Sequence, residues 1–368
     1  MQKSKRKTPT IPKNSENSYF TNDIMKRVLV VGSARESFGG VSSTIKLMEQ
    51  MPAWKEHSCY WLGTQIQRNY LWKLWYAMKS CFMAFFIIWR FDIVHFHTVP
   101  DRICLIIQMP IFLLAMLGKK KIIMHIHMGN QLRNHTANKL FLWHLHHADL
   151  IVLLAKKWQK LFLESYSNIK TPTTVLYNSC AMTPHSDYAN RKKTILMMAY
   201  FNDNKAPDLL FKAWKTLQSR YPDWHIYMLG NGEVERFRQM SIDMGLQACV
   251  TFTGYVTGKQ KEEYFHNASI LCMCSYEEGF PMVVLEAWTY GIPVVTTPVG
   301  GLPDVIEEGR NCVTFSFGDA DALADRLAAL IDNEEQRCAM SAYSQEFVRN
   351  HFSPEKINQD LRNIYARF

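Results

Sequence analysis

The chain has 368 residues, 48% of them apolar and 20% charged, with a net charge of +9. That length calls for two domains, and that composition supplies globular cores, so a fibrous or wholly disordered chain is excluded. The charge is uneven: residues 1–190 hold 24 Lys+Arg against 10 Asp+Glu, while residues 191–368 hold 18 against 23. A basic half of this kind fits a polyanionic partner, whether nucleic acid, an anionic membrane or a phosphorylated acceptor.

Residues 1–22 are polar and carry Lys3, Lys5, Arg6, Lys7 and Lys13, the composition of a disordered basic tail. They lack the apolar core of a signal peptide. The nine cysteines are scattered, with no Cys-x-x-Cys pair, which fits reduced thiols in a cytoplasmic setting. Arg27 to Val31 reads as the first strand. The loop after it ends in Phe38-Gly39-Gly40 and leads into a helix. Two glycines at a strand-to-helix turn let a diphosphate approach the backbone. The spacing is not Gly-x-Gly-x-x-Gly, so a dinucleotide cofactor is poorly supported.

Between Arg68 and Arg90 lies an aromatic, basic segment that includes Trp72, Lys73, Trp75, Lys79, Phe82, Phe85, Phe86 and Trp89. It fits a buried helix or a helix lying in a membrane interface. Its uninterrupted apolar run, Cys81 to Trp89, is too short to span a bilayer, as is the run Ile103 to Leu117 that precedes Lys119-Lys120-Lys121, so no transmembrane helix is expected. Two strands follow, each carrying a histidine pair at period two: His95 and His97, then His125 and His127. No carboxylate or thiolate accompanies them at ligand spacing, which argues against zinc. His144 and His147 fit the C-terminal end of a helix. A strand near Leu150–Leu154, a helix near Lys156–Ser165 and a linker near Ser179–Arg191 complete the first half.

The second half alternates strands near Thr194–Met198, His225–Leu229, Val250–Phe252, Ile270–Met273 and Pro293–Thr296 with helices beginning near Ala206, Glu233, Lys259 and Pro281. Right-handed crossovers then give a parallel sheet with helices on both faces. Within it, Ser275 to Trp288 runs from strand through a Gly279-Phe280-Pro281 turn into an apolar helix. Pro281 suits the first helical position. Gly279 allows close approach of a ligand, and the helix start favours an anion. Glu278 lies in the loop, and Glu286 about 7.5 Å along the helix. Hydroxyls of a ligand would satisfy Glu286, and so would a salt bridge.

Glu278-Gly279-Phe280-Pro281, Glu286-Ala287 and Gly291-Ile292-Pro293-Val294-Val295 together resemble the E-x7-E signature of retaining glycosyltransferases of family 4. The resemblance covers most of residues 26–368 and is strongest at 254–305. It implies the GT-B fold: two Rossmann-like, doubly wound α/β domains facing a central cleft, here residues 23–185 and 186–350, with residues 351–368 as a helix crossing back to the first domain. It implies a nucleotide-diphospho-sugar donor bound by Gly39, Gly40, Tyr200, Lys205, Gly254, Tyr255, Val256, Glu278, Gly279, Phe280, Pro281 and Glu286. His127, in His127-Met128-Gly129, resembles the family histidine that faces the reacting sugar, and His97 a second one. His127, Glu278 and Lys205 are the implied catalytic groups. Tyr200 stands where the family commonly has an arginine, so one diphosphate cation is missing, and Arg35 is a candidate to replace it.

The implied activity is transfer of a sugar, with retention, to a polyprenyl-linked or polysaccharide acceptor at the anionic inner face of a membrane. The resemblance implies no metal and no cofactor, and no Asp-x-Asp motif is expected to hold a metal. The alternatives are a nucleotide-sugar epimerase or phosphorylase on a similar fold, for which no pyridoxal lysine is identified, and a basic nucleic-acid-binding protein. The second lacks any helix-turn-helix, zinc-finger or RNP-type motif.

Overall fold

The structure is a computed structural model and describes residues 25–37, 39–66, 70–184, 188 and 191–368. The basic tail and Phe38 lie outside the described residues. Two six-stranded sheets, parallel throughout, organise the chain. The first contains β1 (Val28–Ser33), β2 (Tyr60–Gln65), β3 (Ile93–Thr98), β4 (Lys121–Ile126), β5 (Leu150–Leu153) and β6 (Thr173–Val175), in the order β2-β1-β3-β4-β5-β6. The second contains β7 (Thr194–Met198), β8 (His225–Leu229), β9 (Val250–Gly254), β10 (Ile270–Met273), β11 (Val294–Thr296) and β12 (Cys312–Thr314), in the order β12-β11-β10-β7-β8-β9. The expected domain boundary falls between β6 and β7.

The central strands are near-continuous apolar runs because both faces are covered. Val28 to Val31 and Leu150 to Leu153 are all buried. In each sheet the order reverses at one place, between β1 and β3 and between β7 and β10. Ligands of open parallel sheets bind beyond the carboxyl ends of the strands at such points. The loops there are the glycine loop after β1, the Tyr200–Ala206 turn after β7 and the Ser275–Pro281 turn after β10.

The connecting helices follow the chain: α1 (Gly40–Glu49), α2 (Pro52–Glu56), α3 (Tyr70–Ile87), α4 (Arg102–Leu117), α5 (Lys139–His147), α6 (Lys156–Ser165), α7 (Pro207–Leu217), α8 (Val234–Asp243), α9 (Gly258–Asn267), α10 (Met282–Thr289), α11 (Ala320–Asp332), α12 (Glu334–Phe352) and α13 (Pro354–Tyr365). Ser353 breaks the chain between the last two and caps α13 by accepting from the Lys356 amide. α13 then returns to the first lobe. Ile357, Leu361, Ile364 and Tyr365 join the core formed by β1, β3, α1 and α2. Asn358 Oδ1 accepts from the Ala53 amide at 2.8 Å, and Arg362 pairs with Glu56.

One expectation is revised in α3. The short apolar run belongs to a single long helix, because Lys73 and Lys79 sit on its exposed face without ending it. Leu71–Arg90, with mean hydropathy 1.3, is long and apolar enough by length and composition to cross a membrane. In this fold the helix lies along β2 and α4 and buries Ser80, Ala84 and Ile88. Leu71, Trp72, Trp75, Met78, Phe82, Phe85, Phe86 and Trp89 are exposed, as are Ile103, Ile106, Leu113 and Leu117 of α4. Asp101 starts α4 by accepting from the amides of Ile103 and Cys104.

Candidate functional site

The three loops at the two reversal points enclose a cavity of about 800 Å³. Its walls include Gly39 and Gly40 from the first lobe and Tyr200, Lys205, Tyr255, Val256, Glu278 and Pro281 from the second. The fold thus brings eight of the sequence-derived site residues together across the cleft. Gly39 adopts φ 120°, a conformation that favours glycine, at the cap of α1. Nothing lies within 4 Å of a Cβ built on Gly40, so backbone faces open space there.

Lys205 and Glu278 form an ion pair, and Ser275 Oγ donates to the same Glu278 oxygen at 2.7 Å. Asn204 ties the two loops of the second lobe together. Its Nδ2 donates to the Glu277 carbonyl at 3.0 Å, and its Oδ1 accepts from the Glu277 amide at 3.1 Å. The turn ends at Ala206, which sits in the left-handed region at φ 44° beside Lys205. Such a conformation costs on the order of 1–3 kcal/mol and persists where surrounding contacts hold it.

Pro281 is not the first helical residue. It is the cap, in extended backbone, and α10 begins at Met282. Its carbonyl accepts from Val284 at 3.2 Å, leaving the amides of Met282 and Val283 as the first of the helix, without intrahelical partners. Both residues line the cavity. Glu286 stands four residues after Met282, on the same helix face. It pairs with Lys261 at 2.5 Å, so the salt-bridge alternative raised by the sequence is realised.

Four expected donor residues, Gly254, Gly279, Phe280 and Glu286, do not line the cavity, and neither does the candidate cation Arg35. Phe280 is buried between the lobes against Tyr177 and Phe352, because an apolar ring beside the interdomain core is better covered there than in a polar cleft. The Gly279 carbonyl is occupied by Trp158 Nε1 at 2.7 Å and by the Gly301 amide at 2.9 Å. Gly254 closes β9 at φ 73° and accepts from Gly230, so it shapes the turn that carries Tyr255 and Val256 rather than lining the cavity. Arg35 pairs with Glu49 and lies over the Trp61 ring, and does not line the cavity. Tyr200, where the arginine was expected, lines the cavity and is largely exposed.

His127 is outside that lining, half-buried near the carboxyl end of β4. His97 Nδ1 lies 2.8 Å from its Nε2. Burial holds the His127 pKa well below its ordinary value, so the ring is neutral and able to accept or donate one hydrogen bond. His97 and His125 pack beside it, His95 packs against both of these, and Tyr365 of α13 bonds His95 at 2.9 Å.

Sequence reasoning missed Asn204, Ser275, Lys261, Gly230 and Asn231 as parts of this region. Gly230-Asn231 is visible in the sequence as a strand-end turn. Lys261 carries no signal in a helix rich in mixed charge. Contrary to the expectation of none, the sequence contains one Asp-x-Asp triplet, Asp319-Ala320-Asp321. It caps α11, with Asp319 Oδ1 accepting from Ala322 at 2.8 Å, and does not line the cavity.

Residues 184–347 match the family of glycosyl transferases group 1. A stretch of 224 residues is 28% identical to an uncharacterized glycosyltransferase of Haemophilus influenzae, covering 59% of this chain and 61% of that protein. Another, of 170 residues, is 31% identical to a D-inositol 3-phosphate glycosyltransferase of Corynebacterium urealyticum, covering 44% of this chain and 40% of the relative. The chain thus aligns with less than two thirds of the length of these curated relatives. Among solved structures, Anabaena HepE in complex with UDP superposes with a TM-score of 0.73 at 15% identity, over 93% of this chain and all of that one. HepE in complex with UDP-glucose gives 0.72 at 17%. The fold is therefore GT-B.

Proposed function

We propose that this chain is a glycosyltransferase that moves a sugar from a nucleotide-diphospho-sugar to an acceptor, with retention at the anomeric carbon. The carrying observation is the cavity in which the Gly39-Gly40 backbone, Lys205, Glu278 and the start of α10 face one another across the cleft. The chemistry requires stabilising a departing diphosphate beside an oxocarbenium-like sugar. Lys205 and the amides of Met282 and Val283 supply positive potential for the diphosphate. Gly39 and Gly40 let it approach the first lobe without a side chain in the way.

Donor binding exchanges partners at the Lys205–Glu278 pair. The phosphate takes the ammonium, and the carboxylate is left to accept from sugar hydroxyls. Neutral His127 hydrogen-bonds the sugar from the first lobe. Glu286, held by Lys261, accepts from ribose hydroxyls. Tyr255 and Val256 form the base wall. HepE, bound to UDP and UDP-glucose, makes uridine donors the first to test.

The acceptor reading is a polyprenyl-linked or polysaccharide substrate at an anionic membrane surface. The exposed apolar faces of α3 and α4, beside Lys119 and Lys120, support it: aromatic and aliphatic side chains suit the interface, and each of these lysines adds about 1 kcal/mol of attraction to an anionic surface. The deciding experiment is a thermal-shift screen with UDP-, GDP- and ADP-sugars, followed by NMR of the product's anomeric configuration. If no donor stabilises the protein the donor reading fails, and an inverted product removes retention.

A further inference from the structure

The geometry points to a metal site outside the donor cavity: His95, His97 and His125 form a buried three-imidazole site for one transition-metal ion of the zinc class. Their ligand-capable nitrogens all lie within 4.8 Å of one another. The three side chains are 0%, 2% and 1% exposed. Strand geometry assembles them. His95 and His97 share one face of β3, and His125 is registered against His97 on β4. The lack of an accompanying carboxylate or thiolate, which argues against zinc along the sequence, is met by three imidazoles converging from two strands.

The pattern of occupied nitrogens carries the argument. His95 Nδ1 is held by the Tyr365 hydroxyl at 2.9 Å, and His97 Nδ1 by His127 Nε2 at 2.8 Å. The Nε2 atoms of both are buried without a partner among the described residues, and so are both nitrogens of His125. A neutral imidazole has one donor and one acceptor, and buried ones are normally paired. His95 and His97, each with Nδ1 oriented by a hydrogen bond and Nε2 left free, have the arrangement of metal-ligating histidines, and His125 has either nitrogen to offer.

All-imidazole donors suit zinc, copper and nickel. Three histidines leave the fourth position to water or hydroxide, and hydroxide also offsets the ion's charge. The rings must draw together on binding, because Zn–N bonds of ~2.0–2.1 Å set tetrahedral ligands ~3.4 Å apart. With Nε2 of His97 on the ion, its Nδ1 carries the proton and donates to His127 Nε2. The ion therefore fixes which nitrogen of His127 bears hydrogen, and the buried site tunes the group beside the donor cavity.

The test uses the full chain, freed of any polyhistidine tag and dialysed against chelator, then titrated with zinc alone. Elemental analysis after gel filtration should give about one equivalent per chain, with a rise in Tm. Cobalt loading should give the visible bands of a four-coordinate site. His125→Asn should lose stoichiometric uptake and the Tm response, while the exposed-surface control His146→Asn keeps both. If His125→Asn does not fold, His95→Gln takes its place. Two results would overturn the site: a wild-type chain that takes up no zinc and shows no Tm response, in which case buried water satisfies the nitrogens, or a folded His125→Asn that binds zinc as the wild type does.

Discussion

A Cβ built on Gly129 would lie 2.4 Å from the carbonyl oxygen of Glu278, so the two lobes touch backbone to backbone beside the catalytic candidates. The same Cβ would sit 3.0 Å from the Trp158 ring, whose Nε1 is already bonded to Gly279. Neither neighbour is a flexible chain end. Gly129→Ala should therefore push the lobes apart, costing about 1–3 kcal/mol of stability as other overpacking substitutions do. It should also lower kcat more than it changes donor affinity. Thermal denaturation and steady-state kinetics check both, and an alanine variant with unchanged kcat would show that this contact does not set the catalytic geometry.

Among the described residues, Lys205→Ala removes the cation that lines the cavity at the proposed diphosphate position. A hydrogen bond to a charged group contributes about 1.5–3 kcal/mol, so UDP should bind roughly 10- to 150-fold more weakly. Glu278→Gln should behave differently, keeping UDP affinity within a few-fold and losing turnover. Calorimetric titration with UDP separates the two outcomes. Equal UDP affinity in Lys205→Ala and wild type would place the diphosphate elsewhere.

Glu286 and Lys261 are both about one quarter exposed. Their mutual coupling should therefore be small, about 0.2–1 kcal/mol in a double-mutant cycle followed by Tm. Loss of Glu286 should instead appear as a raised donor KM. If Glu286→Gln lowers Tm sharply and leaves KM unchanged, the pair is a structural bridge and the ribose role is wrong.

The α3 face predicts flotation with vesicles. The wild type should rise with phosphatidylglycerol vesicles and stay behind with neutral ones. Trp75→Glu combined with Phe82→Glu should abolish flotation without lowering Tm, because both side chains are exposed. A double variant that still floats would remove α3 from the membrane contact.

His144 is buried on α5, and desolvation lowers its pKa from the ordinary 6.5. Below pH 6.5 the unfolded chain takes up a proton there before the folded chain does. The stability associated with neutral His144 is thus fully present above that pH and is lost as pH falls toward the lowered value. Relative to His144→Leu, the wild type should lose Tm on going from pH 7.5 to pH 5. A difference that does not vary with pH would mean that His144 titrates alike in both states.

Much of this architecture was legible because parallel strands buried on both faces are written as apolar runs, as in Val28–Val31 and Ile270–Met273. The loops that follow them carry their own glycine and proline punctuation. Harder to read were features made by tertiary contact. The helical continuity of α3 past Lys73 and Lys79 depends on where those lysines point. The rotation of Phe280 into the interdomain core depends on Tyr177 and Phe352, both more than 70 residues away. Lys261 meets Glu286 only after β10 is inserted between β7 and β11. β12 has three residues, too few for a periodicity to register.

The return of α13 bears on how the chain is made. Ile357, Leu361, Ile364 and Tyr365 complete the core of a lobe whose strands begin at Val28. That lobe stays open on one side until the second lobe has been translated, and its apolar face waits for α13 to follow. The second lobe, built from nearly contiguous sequence, can close first. The first lobe to be translated is thus the last to be finished, and for that interval it is the part of the protein most exposed to aggregation and to chaperones.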